Sequence, residues 1–104
     1  MSKDKLCGIY CIENSINGKK YIGQSIDLYR RKLQHKQNSH ISRNTFLYLA
    51  IQKYGIYNFE FAIIELCDEN DLDDKEKYWI EYCDTYKYGY NMTTGGDGVR
   101  NYVN

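Results

Sequence analysis

The residue types in this sequence that could handle a phosphate and a proton are two tyrosines, an arginine, a histidine and a glutamate: Tyr10, Tyr21, Arg31, His35 and Glu76. Arginine can hold a phosphate, histidine can move a proton near neutral pH, and a carboxylate can bind a divalent cation. The set therefore suits phosphodiester hydrolysis, with one cation on Glu76, the scissile phosphate on Arg31, and a tyrosine or His35 taking the proton of the attacking water. Because only one carboxylate stands out, we expect a single ion rather than a two-metal site.

Two predicted strands carry the tyrosines. Residues 6–13 and 19–24 have strand composition, and the pair Asn17-Gly18 between them is a strong hairpin signal. With an even-numbered loop the two tyrosines point to the same face of the hairpin. A two-residue turn would leave them roughly 13 Å apart along the strand, and a loop of four or six residues would bring them closer. Two strand tyrosines packed on a helix are the purely structural alternative.

A predicted helix places the arginine and the histidine one turn apart. Ser25 or Asp27 begins this helix, which runs to about Lys36. Arg31 and His35 then share a face, where they could hold a phosphate and move a proton. A solvent-exposed charged face, braced by an Asp27–Arg31 pair, is the structural alternative.

Glu76 falls in the middle of the apolar stripe of a helix predicted over residues 71–83. The stripe consists of Leu72, Trp79, Ile80 and Cys83. Burying an unpaired carboxylate is costly, so we expect Glu76 to have a cation, a cluster of donors or an altered pKa. A salt bridge to Arg31 is the structural alternative. The neighbours expected to point into solvent are Asp73, Asp74 and Lys77.

The remaining elements complete an α/β (α+β) domain with a small antiparallel sheet. A helix is predicted over residues 45–54, with Gly55 ending it, and a third strand over residues 59–66. The apolar positions of that helix are Phe46, Leu47, Leu49, Ala50 and Ile51. Residues 38–44 are expected to form a loop and residues 94–104 a flexible tail or the start of a linker.

Composition narrows the class of protein. The chain has 104 residues, 42% of them hydrophobic, which suits one globular domain. It has no apolar run long enough for a membrane span, and its charged beginning leads into no signal-peptide core, so we expect an intracellular protein that is not secreted. The cysteines, expected to be reduced thiols that fill the core, are Cys7, Cys11, Cys67 and Cys83.

Charge is divided unevenly along the chain, although the net charge is zero. Residues 1–58 contain ten basic and three acidic residues, and residues 59–104 contain four basic and eleven acidic ones. A basic first half indicates a polyanionic partner such as DNA. The absence of overall positive charge predicts a weak non-specific grip on nucleic acid.

These residues resemble the GIY-YIG nuclease family. The two name motifs are intact, and three further motifs follow in the family order over about residues 6–93. The matching positions are Gly8-Ile9-Tyr10, Tyr21-Ile22-Gly23, Arg31 with His35, Glu76 before Tyr78-Trp79-Ile80, and Asn91. The resemblance implies a catalytic domain over residues 1–93, with a three-stranded antiparallel sheet flanked by three or more helices.

The resemblance also implies roles for these residues in a Mg²⁺- or Mn²⁺-dependent DNA endonuclease. Tyr10 would be the general base, although an ordinary pKa near 10 makes tyrosine a poor base at pH 7. Tyr21 would bind water or phosphate, Arg31 would stabilise phosphate charge, and Glu76 would be the sole protein ligand of the metal. His35 would assist, and either it or Tyr10 takes the proton. The residues expected to help bind the substrate are Arg30, His40 and Asn91, and the role of Asn91 is expected to be mainly structural.

Two departures from the family pattern stand out. Gln24 occupies a position where some members carry a lysine, so that cation is absent. Arg30 lies beside Arg31, but it points about 100° away from the face of His35.

The phrase around Asn91 is similar to the end of the catalytic domain in homing endonucleases, including those of phages and viruses. Such enzymes usually continue into a separate DNA-binding region, so we expect such a domain or a partner protein. A catalytically silent nucleic-acid-binding module is the first alternative, and a tyrosine-rich protein-interaction domain is the second.

Overall fold

The structure is a computed structural model, and it describes residues 5–37 and 45–95. Within these residues the secondary structure agrees with the predicted order and adds a short fourth helix after the third. Single 3-10 turns precede the third strand and the third α-helix. The elements are β1 (Gly8–Asn14), β2 (Lys20–Ser25), α1 (Leu28–Gln37), α2 (Phe46–Tyr54), β3 (Phe59–Leu66), α3 (Leu72–Cys83) and α4 (Thr85–Tyr88).

The three strands form an antiparallel sheet in the order β2-β1-β3, which confirms the predicted sheet. The hairpin closes with a hydrogen bond of 2.9 Å from the Asn14 amide to the Lys19 carbonyl. Its loop therefore has four residues, 15–18, rather than the two of Asn17-Gly18 alone. Tyr10 pairs with Gly23, so Tyr21 lies two positions away on the same face.

Each face of the sheet has its own apolar core. The face that carries Tyr10 packs against α1 and α2, where Leu28, Leu47 and Ile51 are buried. The opposite face carries Ile9 and Ile22 and packs against α3 through the buried side chains of Leu72 and Ile80. The domain therefore has three layers, with α1 and α2 on one face of the sheet and α3 on the other. The predicted apolar stripe of α3 faces the core.

All four cysteines are free thiols and belong to the α3-side core, as expected. No helix in the described ranges is both long and apolar enough to cross a membrane.

The outer edge of β2 is covered by the chain that follows α4. The Ile22 amide donates to Asn91 Oδ1 and Asn91 Nδ2 donates to the Ile22 carbonyl, each at 2.8 Å. The Tyr90 amide donates to the Lys20 carbonyl at 2.9 Å. Asn91 is buried and uses both ends of its amide on one backbone residue, in agreement with the mainly structural role expected of it.

Replacement of Asn91 by alanine should lower the free energy of unfolding by about 2–3 kcal/mol, because two buried hydrogen bonds are lost and the Ile22 amide and carbonyl lose their partners. Urea denaturation monitored by circular dichroism measures this change. The control is Asn70→Ala, which removes an exposed asparagine and should change stability by less than about 0.5 kcal/mol. Equal stabilities for the two variants would contradict the structural role.

Candidate active site

The centre of the site is a buried hydrogen bond between Tyr10 and His35. Tyr10 is completely buried in the middle of β1, and its hydroxyl lies 2.9 Å from His35 Nε2. The Tyr10 ring stacks on Phe61 of β3 with ring centroids 4.8 Å apart. Because β1 is the central strand, the Tyr10 side chain has a neighbouring strand on either side of it.

Glycine at position 23 makes room for the Tyr10 ring. A Cβ atom built on Gly23 would overlap the hydroxyl and the adjoining ring carbons of Tyr10. The ring therefore lies across β2, directly over a residue without a side chain. At the other glycine, Gly8, a Cβ would overlap the Glu65 carbonyl of β3, so this residue allows the two strands to approach closely.

Tyr21 joins this pair from the neighbouring strand. Its ring centroid lies 6.2 Å from that of Tyr10 and 6.2 Å from that of His35. Burial, and then the charge of Glu76, raise the pKa of Tyr21 to about 12, while Arg31 and a hydrogen bond with Tyr10 act in the opposite direction. As predicted, the side chains of Tyr10 and Tyr21 lie on the same face of the hairpin.

The Tyr10–His35 pair is electrically neutral in the free protein. Burial, and then Tyr21, raise the pKa of Tyr10 well above 10, although Arg31 opposes the shift through its charge and a hydrogen bond. Burial and the Arg31 charge lower the pKa of His35 to about 4. At pH 7 Tyr10 is thus a phenol, and His35 is an uncharged imidazole with one nitrogen able to accept a proton.

Arg31 rather than Arg30 faces the site. Arg31 acts on Tyr10, Tyr21 and His35 through its charge. Arg30 is exposed, and its backbone amide is capped by Asp27 Oδ1 at 3.3 Å. No ion pair joins Asp27 to Arg31 in the part of the chain that the structure describes, so the structural alternative of a brace between them is not found.

Glu76 approaches the tyrosines around the edge of the sheet. It lies on α3, on the other face from Tyr10, yet its charge reaches Tyr21. Gln24 Nε2 donates to Glu76 Oε1 at 3.0 Å and to Asp73 Oδ1 at 2.9 Å. Over residues 5–37 and 45–95 no ion pair joins Glu76 to Arg31.

The prediction that Asp73 points away from Glu76 is wrong. Both carboxylates bind the same amide nitrogen of Gln24, whereas Asp74 and Lys77 are exposed as expected. The reason is the spacing of three residues along α3, which places Asp73 and Glu76 on neighbouring turns of one face.

The donors around Glu76 fit a hard divalent cation with few protein ligands. No group of three or more histidine, cysteine, aspartate or glutamate side chains suitable for a metal occurs among the described residues. Mg²⁺ commonly binds one or two carboxylates and keeps several waters or substrate oxygens. Glu76, with Asp73 beside it, offers this kind of surface.

His40 lies outside the described residues, so its expected role stays a prediction. The predicted tail, residues 94–104, is described only as far as Gly95, which lies against Ile80 and Glu76. Residues 96–104 lie outside the described residues.

Sequence reasoning missed Tyr48. Its hydroxyl lies 2.8 Å from His35 Nδ1, on the side of the ring opposite Tyr10. No local motif marks this tyrosine, since the contact joins two helices.

The fold and this arrangement of residues define the class of protein. The family model of the GIY-YIG catalytic domain matches residues 6–91. The chain belongs to the GIY-YIG family and carries a GIY-YIG endonuclease domain.

The relatives agree with this assignment. The chain is 41% identical over 63 residues to a probable intron-encoded endonuclease 1 of Neurospora crassa, a match that covers 61% of this chain and 20% of that protein. It thus spans about a fifth of the length of this curated relative. The catalytic domain of the homing endonuclease I-TevI has a similar structure, with a TM-score of 0.76 and 26% identity over 84% of this chain and 98% of that chain. A mutant of the same catalytic domain gives a TM-score of 0.79 and 26% identity over 86% and 96%.

Replacement of Gly23 by alanine should break the Tyr10–His35 hydrogen bond, because the new methyl group would overlap the Tyr10 ring. The expected loss of stability is about 2–3 kcal/mol, the usual cost of overpacking a tight core. Urea denaturation measures the loss, and nuclear Overhauser contacts between the Tyr10 and His35 rings report their separation. In a Tyr10→Leu background, which lacks the overlapped atoms, the same alanine should cost less than about 1 kcal/mol. An equal cost in both backgrounds would rule out the overlap with Tyr10 as the cause.

Proposed function

We propose that this chain cleaves DNA by hydrolysing phosphodiester bonds with one divalent cation, in the manner of a homing endonuclease. The observation that carries the proposal is the buried neutral Tyr10–His35 pair, with the Arg31 guanidinium beside it and Glu76 across the edge of β2. A protein that only binds nucleic acid has no need of an uncharged proton acceptor hydrogen-bonded to a buried phenol.

Tyr10 and His35 act together on the proton of the attacking water. As the water oxygen bonds to phosphorus, its proton moves to the Tyr10 oxygen and the Tyr10 proton moves to His35 Nε2. The P–O bond to the leaving sugar oxygen breaks, and this oxygen departs with the released electron pair. The path avoids a free phenolate, which the raised pKa of Tyr10 makes inaccessible at neutral pH.

The approach of substrate strengthens His35 as a base. Its pKa of about 4 keeps it uncharged in the free protein, partly because Arg31 is positive. The single negative charge of a phosphodiester bound to Arg31 offsets that positive charge, which makes the imidazolium form of His35 less unfavourable. The proton acceptor is therefore neutral before substrate binds and becomes more basic once the phosphate is in place.

Glu76 would hold the cation, with Asp73 beside it on the same face of α3. Gln24 hydrogen bonds to both carboxylates, so it orients them without neutralising them as a lysine would. When bound, Mg²⁺ or Mn²⁺ would stabilise the charge that develops on the phosphate and the leaving oxygen.

The DNA contacts of this chain are supplied by its basic first half, including Arg30 on the exposed side of α1. A separate DNA-binding domain or a partner protein provides most of the affinity and the specificity. The neutral net charge and the much greater length of the N. crassa relative support this division. Acting on DNA in the manner of a homing endonuclease, the protein would work inside a cell, including a host cell when a phage or virus encodes it.

Glu76→Ala should abolish cleavage of supercoiled plasmid and leave the fold intact, because it removes the proposed cation ligand. The assay uses excess protein at low salt with Mg²⁺ or with EDTA, and circular dichroism checks the fold. The matched control is Glu81→Ala, which removes an exposed glutamate from the same helix and should retain activity within about twofold.

Each outcome decides between the proposed functions. Nicked or linear product that needs both Mg²⁺ and Glu76 supports the nuclease. Cleavage by the Glu76→Ala protein at the wild-type rate would remove Glu76 from the mechanism. Salt-sensitive DNA binding without product from the wild type, even with a DNA-binding partner present, would favour a silent binding module.

A further inference from the structure

Tyr48 is in direct contact with the far side of the His35 ring. Its hydroxyl lies 2.8 Å from Nδ1, and the two rings stack with centroids 5.7 Å apart and planes 28° apart. Tyr48 lies in the first turn of α2, where its backbone amide is capped by Thr45 Oγ1 at 3.3 Å, and its ring packs on the core around Tyr10. Both ring nitrogens of His35 are therefore held by tyrosine hydroxyls from different elements.

A neutral imidazole between two hydroxyls can carry its proton on either nitrogen. With the proton on Nδ1, His35 donates to the Tyr48 oxygen and Nε2 accepts from the Tyr10 hydroxyl. With the proton on Nε2, the ring donates to the Tyr10 oxygen and could not take the proton of Tyr10. Only the first tautomer can act as the proton acceptor in the proposed reaction.

The surroundings favour the first tautomer. The positive charge of Arg31 acts on the Tyr10 oxygen, and the Tyr10 hydroxyl is completely buried, so its proton must be donated inside the protein. An imidazole nitrogen is a better acceptor than the neighbouring phenol oxygen of Tyr21. Tyr48 is only partly buried, so its own proton need not point at the imidazole and its oxygen can accept from Nδ1.

We propose that Tyr48 is a positioning residue that holds His35 in the Nδ1-protonated tautomer, with Nε2 open to the proton of Tyr10. The role rests on the proposed nuclease activity, which it deepens. Tyr48 does not touch the substrate in this account and acts through His35 alone. Its loss leaves the histidine in place and lets the proton distribute between the two nitrogens.

The test compares Tyr48→Phe with Tyr54→Phe. Tyr54 lies on the same helix, and its ring packs on the same core, so the control removes a hydroxyl from an equivalent setting. Two-bond ¹⁵N–¹H spectra at pH 7 report which nitrogen of His35 carries the proton. We expect Nδ1–H in the wild type and in Tyr54→Phe, and a mixture of both tautomers in Tyr48→Phe, with thermal melting of the two variants alike.

Cleavage rates under single-turnover conditions test the catalytic side. Tyr48→Phe should lower the rate about tenfold, and Tyr54→Phe should leave it within about twofold. In a His35→Gln background, where no tautomer exists, Tyr48→Phe should change the residual rate less than about twofold.

Three results would overturn the inference. The first is Nε2–H as the wild-type tautomer, the second is an unchanged tautomer in Tyr48→Phe, and the third is an equal loss of rate with and without His35. Absence of cleavage by the wild type, even with a DNA-binding partner present, would instead overturn the proposed function. In that case the nitrogen spectra alone still decide whether Tyr48 sets the tautomer.

Discussion

The hydrogen bond between the Tyr10 hydroxyl and His35 Nε2 is the interaction on which the rest of the site depends. It joins the central strand to α1, where burial keeps both partners uncharged at neutral pH in the free protein. A buried tyrosine acting alone would be a poor base, because burial raises the pKa of its phenol. Here the buried Tyr10 hydroxyl is held against His35 Nε2, the proton acceptor that we propose. Of the two glycines of the name motifs, Gly23 lets the Tyr10 ring lie over β2, and Gly8 lets β1 approach β3 closely.

The layered architecture divides the chemistry between the two faces of the sheet. The face toward α1 and α2 carries the rings of Tyr10, Tyr21 and His35 in a largely apolar core. The face toward α3 brings the carboxylates of Asp73 and Glu76 to the edge of β2, where the polar end of Gln24 meets them. This separation keeps negative charge away from the buried phenol of Tyr10, while Glu76 still acts on Tyr21. Arg31 acts on the rings of the first face and offers the positive charge that a phosphate needs.

Local patterns predicted the elements well, because strands, caps and turns depend on neighbouring residues. The strand over residues 59–66 has the predicted bounds, and Thr45 and Gly55 cap α2 as their types indicate. Side-chain orientation was harder to predict, since it depends on distant partners. Phe46 and Leu49 fit the apolar pattern of α2, yet both are about half exposed. The position of Tyr48 likewise follows from the packing of α2 against α1, which no spacing along the chain reveals, whereas the spacing of Asp73 and Glu76 on α3 already placed them on one face.

The central claim is that Tyr10 and His35 form a neutral pair, and a nuclear magnetic resonance titration of the free protein tests it most directly. Carbon-labelled tyrosine reports the ionisation of Tyr10 through its Cζ atom, assigned by comparison with Tyr10→Phe, and the His35 ring is followed in the same samples. The account predicts that His35 takes up its proton only as the pH falls toward about 4 and that Tyr10 remains a phenol through pH 10. A phenolate signal from Tyr10 below pH 10, or an imidazolium at pH 7, would contradict it.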